Sequence, residues 1–162
     1  MAGLGNIFQG DDGFGVEVVR RLRDRPVPDG VTVTDIGIRG VHLAYELLDG
    51  WDRVLLVDAA QHGAAPGTVS VLDPGRIAAP EQTMLMDAHD MGPEAVLALV
   101  VQMGGALPDV RIIACEPADT TPGMSLSDPV SGAVDAAVEA VVQLLIEEMH
   151  VPIPPATAKE PS

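Results

Sequence analysis

Four consecutive apolar residues, Val54-Leu55-Leu56-Val57, end at a single acid, Asp58. A strand with one wet face alternates apolar and polar side chains, so an unbroken run bounded in this way belongs to a strand covered on both faces. Further short apolar runs at 31–36, 68–72 and 110–115 alternate with segments at 15–23, 40–48, 92–103 and 129–149. In those segments apolar residues recur every three or four positions, as in Val130/Val134/Val138/Val141/Leu145. The alternation predicts a single α/β domain of three layers, a mostly parallel twisted sheet with helices on both faces. Turn signals at Pro66-Gly67 and Asp73-Pro74-Gly75 bracket the run at 68–72, which places it at an edge, even antiparallel.

The domain is read as residues 1–150. Residues 151–162 hold four prolines and no helical period, the pattern of a mobile tail. At the other end only Met1 and Ala2 precede a glycine loop, where an α/β domain supplies its first, central strand. That strand is expected to be missing or severely shortened. Either the start lies elsewhere or a neighbouring segment covers the exposed sheet.

Composition narrows the function. With 24 acidic against 9 basic residues and a net charge of −15, the surface repels phosphate backbones, which argues against nucleic acid as a partner. Only two Phe, one Tyr and one Trp are present, so the core is expected to be aliphatic. A single cysteine, Cys115, excludes an internal disulfide and reads as a buried structural thiol. No charged and then apolar leader opens the chain and no uncharged stretch is long enough to cross a bilayer, so a cytoplasmic protein is expected.

Chemistry concentrates at Gly3-Leu4-Gly5-Asn6 and the following Asp11-Asp12-Gly13-Phe14-Gly15. A glycine loop before a helix invites a dinucleotide, with Asp35 as the ribose acid. However, the third glycine of that motif falls at Phe8, and two carboxylates at the helix start repel a pyrophosphate. One acid of the pair suffices to cap the helix; two, set among glycines, also suit a cation. Asp58 sits where open α/β sheets build their sites, and His89 lies in a loop entering the helix at 92–103. A lone histidine there is more often an exposed polar residue. Asp12, Asp58 and His89 nevertheless fall on loops expected along one carboxyl edge of the sheet. Two carboxylates and an imidazole form a set suited to Ni²⁺, Zn²⁺ or Fe²⁺ with positions left open. His62, four residues after Asp58, is the rival imidazole. With His42 and His150 it reads as a surface residue.

These residues resemble the [NiFe]-hydrogenase maturation endopeptidases, which remove a C-terminal extension from the hydrogenase large subunit. Gly3-Leu4-Gly5-Asn6-Ile7 with Asp11-Asp12-Gly13-Phe14-Gly15-Val16 resembles the family's opening motif. Asp35-Ile36-Gly37-Ile38-Arg39-Gly40, the strand ending at Asp58, His89, Cys115-Glu116-Pro117 and Leu126-Ser127-Asp128-Pro129-Val130 follow in the family's order over residues 3–148. The resemblance implies that Asp12, Asp58 and His89 contact metal and serve catalysis, and that the metal is nickel carried by the precursor large subunit. No permanent cofactor is then needed. Asp11 becomes the candidate for a supporting base or cap. The partner implied is the hydrogenase large-subunit precursor, acted on by a monomer; a noncatalytic nickel checkpoint is the alternative. Either the metal polarises carbonyl or water, or a carboxylate acts as base while nickel is a recognition tag. Three features depart from the family: Asp12 where Glu is frequent, Ile38 where many members carry a small hydroxyl residue, and the shortened first strand.

Overall fold

The computed structural model describes residues 1–74 and 91–149; the expected tail lies outside the described residues. In chain order the elements are β1 (Ala2–Leu4), a 3₁₀ turn (Gly10–Gly13), α1 (Phe14–Leu22), β2 (Thr34–Gly37), α2 (Gly40–Leu47) and β3 (Arg53–Ala59). There follow β4 (Val69–Leu72), α3 (Pro93–Gln102), β5 (Asp109–Cys115), α4 (Asp128–Ser131) and α5 (Val134–Met149). The five strands form one sheet in the order β2-β1-β3-β5-β4, parallel except that β4 runs against β5 at the edge.

The sheet separates two apolar layers. On one face Leu43, Leu47, Val96 and Val100 of α2 and α3 cover Leu56, Ile112 and Ala114. On the other, Phe14, Val18 and Leu22 of α1 and Val130, Val134, Val138 and Val141 of α4 and α5 cover Leu55, Val57 and Ile113. The unbroken run 54–57 is therefore buried on both faces, as its composition requires. The stretch Asp128–Glu147, mean hydropathy 1.5, is long and apolar enough to cross a membrane by length and composition. Its apolar side instead faces the sheet, with Val134, Ala137 and Val141 fully buried.

Two boundaries differ from expectation, while the first strand is, as expected, severely shortened: it is three residues long and occupies the centre of the sheet. Because its ladder reaches back only to Ala2 opposite Thr34, β2 begins at Thr34 rather than at 31. The last helix is two: the Ala133 N–H bonds to the Val130 carbonyl, an i→i−3 contact that breaks the α-ladder behind Gly132.

Chain direction explains where a site forms. From β1 the chain passes through α1 to β2 on one side; from β2 it returns through α2, on the opposite face, to β3 on the other side. The carboxyl ends of β1 and β3 thus flank a topological switch point, where the outgoing loops part and leave a crevice.

Candidate active site

Both acids singled out at the carboxyl edge reach this crevice. A pocket of about 160 Å³ is lined by Asn6 and Asp12 from the loop after β1, Ile38 after β2, Asp58 from β3, and Met91 and Gly92 before α3. Asp58 is delivered by its strand and is 6% exposed. Asp12 comes from the 3₁₀ turn, and its Oδ2 accepts the Asn6 N–H at 2.8 Å. The approach is close: a Cβ on Gly5, at φ 126°, would lie 1.8 Å from the Asp12 carbonyl oxygen. Gly15, where α1 crosses the sheet, is as constrained, since its Cβ would meet the Val57 and Leu4 carbonyl oxygens at 2.2 and 2.4 Å.

His89 lies outside the described residues, and among those described no group of three or more His, Cys, Asp or Glu is gathered to hold a metal. Ile38, 46% exposed, puts an apolar side chain at the pocket wall in place of a hydroxyl. Asp35 does not line the pocket.

Asp11 points elsewhere. It neither lines the pocket nor caps its helix; fully buried, it accepts the N–H groups of Ala118, Asp119 and Ser127 and the Ser127 hydroxyl, all within 2.7–2.8 Å. Burial raises its pKa, but the bonds from Asp119, Ser127 and Ala118 outweigh that and hold the carboxyl below its ordinary value.

His62 is not merely a solvated loop residue. Its backbone N–H donates to Glu116 Oε2 at 2.7 Å, and its ring sets Nδ1 2.9 Å from the same oxygen and Nε2 3.1 Å from Ser70 Oγ. Glu116, only 8% exposed, is the functional-edge residue that pattern reading undervalued. It directly follows β5, as Asp58 stands one residue before the end of β3, and that position was the available signal. His42 pairs with Glu46 on the exposed side of α2, as a surface residue should. Cys115 is buried, and desolvation, then the charges of Asp11 and Glu116, push its thiol up to about 11; it is no nucleophile at neutral pH.

The chain has matches among known proteins. The hydrogenase maturation protease family profile covers residues 16–144. The hydrogenase expression/formation protein HupD of Rhizobium leguminosarum bv. viciae is 32% identical over 145 residues, 88% of this chain and 71% of that protein. Among solved structures, the hydrogenase 2 maturation peptidase from Thaumarchaeota archaeon SCGC_AB-539-E09 is 34% identical with a TM-score of 0.64, covering 89% of this chain and 95% of that one. The hydrogenase maturating endopeptidase HybD from E. coli is 25% identical with a TM-score of 0.73 and 97% of each chain covered.

Proposed function

The chain belongs to the hydrogenase maturation protease family, and from that premise we propose that it removes the C-terminal extension of a nickel-loaded [NiFe]-hydrogenase large-subunit precursor. The observation that supports this reading is the convergence of Asp12 and Asp58, from two different strand ends, on one small pocket. Nickel arrives as part of the substrate. Two carboxylates supply the negative field and hard oxygen donors that draw a divalent cation. His89, two residues before Met91 of the pocket wall, is the proposed third ligand. Such a set leaves coordination positions to the precursor's own ligands and to water.

In this reading the protein's residues chiefly position. The Asn6 N–H fixes one oxygen of Asp12, and β3 fixes Asp58, so the cation and the peptide bond beside it are presented to water in one orientation. Two divisions of labour use this geometry: nickel polarises the carbonyl or water, or a carboxylate takes the water proton while nickel marks the correct precursor. The enzyme is proposed to act as a monomer in the cytoplasm on a protein partner, without nucleic acid or membrane.

The test is incubation of the protein with precursor, nickel-loaded or nickel-free, followed by intact-mass measurement of the large subunit. The expected result is loss of the extension's mass from the nickel-loaded form alone. Equal cleavage of both forms removes nickel from recognition; an uncut but bound precursor favours a noncatalytic checkpoint.

A further inference from the structure

We propose that Asp11 and Glu116 are positioning residues that hold the two acid-bearing arms of the pocket through one segment, the residues that follow β5. The proposal rests on the reading of Asp12 and Asp58 as the metal-contacting pair. Each arm is tied at several points. On the first, Asp11 accepts its four bonds from Ala118, Asp119 and Ser127. Backbone bonds from Asp11 N–H to the Asp119 carbonyl, Gly10 N–H to the Gly123 carbonyl and Gly123 N–H to the Phe8 carbonyl, each 2.9 Å, complete the seam. On the second, the Ala60 N–H bonds to the Cys115 carbonyl at 3.0 Å. The Glu116 backbone exchanges bonds with Gly67 and Thr68, and its carboxylate takes the His62 N–H. Only Pro117, with its fixed φ, separates Glu116 from Ala118, the first of Asp11's partners.

The consequence for the acids is geometric. Asp11 and Asp12 are consecutive in a 3₁₀ turn, where neighbours point about 120° apart. Fixing Asp11 on the segment after β5 therefore sets the rotation of the turn and aims Asp12 at the crevice. Glu116 acts on the loop that leaves Asp58, holding His62 three residues beyond the strand end. Both anchors accept rather than donate, and both are buried, so each is a fixed post around which N–H groups from the loops assemble.

The test uses Asp11→Asn, Glu116→Ala and Glu116→Gln at a temperature where each protein is folded. Its readouts are hydrogen exchange at the Asn6 amide, which bonds to Asp12, and kcat and KM for precursor cleavage. Asn cannot accept at both positions, because both Asp11 oxygens face N–H donors. Asp11→Asn is expected to speed Asn6 exchange and to lower kcat, each by about tenfold or more, with KM within about twofold. Glu116→Ala lowers kcat similarly, and Glu116→Gln, whose amide oxygen still accepts the His62 N–H, recovers most of it. Unchanged Asn6 exchange and kcat in folded Asp11→Asn, or Gln no better than Ala, overturns the proposal. If Asp11→Asn does not fold, Ser127→Ala, which removes only the hydroxyl bond, is measured the same way, and unchanged exchange and kcat there overturn it too. Should Asp12→Asn and Asp58→Asn cleave normally, the site reading fails while Asn6 exchange still reports on Asp11.

Discussion

The two edges of the sheet are built differently. At the carboxyl edge the loops are stitched by Asp11, Asn6 and Glu116, and the hollow among them is about 160 Å³. At the amino edge a hollow of about 430 Å³ opens among Met1, Val31, Trp51, Val54 and Leu144. The larger cavity lies away from the switch point and its Asp109 is paired with Arg53 and Arg111, whereas the smaller one gathers Asp12 and Asp58 at the switch point, so size alone does not rank the two. The amino edge also seats the Met1 ammonium, which donates to the Thr32 carbonyl at 2.8 Å and which burial pushes down to about 6. Constraint is spent where groups must be aimed, while the opposite edge is left loosely filled.

The strongest way to break the comparison is to crowd the tight edge. Gly15→Ala forces a Cβ into two strand carbonyls and is expected to cost about 3 kcal/mol or more in urea denaturation. Asp11→Ala, which leaves buried N–H donors unmet, is expected to cost about 3 kcal/mol. Because the folded pKa of Asp11 is lowered, its contribution is present above the unfolded carboxylate pKa and lost as pH falls through the folded value. The variant's acid unfolding profile should lack that portion.

At the loose edge the effects are smaller. The unfolded amine, at 8.0, binds protons more readily than the folded one at about 6, so stability should rise with pH between those values. Partial exposure limits the rise to about 2 kcal/mol, and N-terminal acetylation should flatten it in melts across that range. Val31→Leu, which adds a methylene beside the cavity, should stabilise by under about 1 kcal/mol, measured the same way.

Legibility in the sequence follows the range of the interactions. The run 54–57 announced β3 and the position of Asp58, because both depend on local pattern and strand direction. Asp12 was legible from its glycine surroundings for the same reason. Asp11 looked identical to its neighbour, and what separates them is a set of partners 107 to 116 residues away. His62 is exposed, as a surface residue should be, but its bonds to Glu116, 54 residues on, were illegible for a like reason. The break between α4 and α5 follows a local glycine, Gly132, that an otherwise helical period concealed. The three-residue β1 was anticipated as a shortened central strand, and the pairing on both its sides bears that out.

The most direct measurement is the intact mass of nickel-loaded precursor after incubation with wild-type protein, Asp12→Asn or Asp58→Asn, each first shown to be folded. The account predicts loss of the C-terminal extension with wild type and a rate lowered on the order of a hundredfold or more with either variant. Cleavage at the wild-type rate by both variants would contradict it.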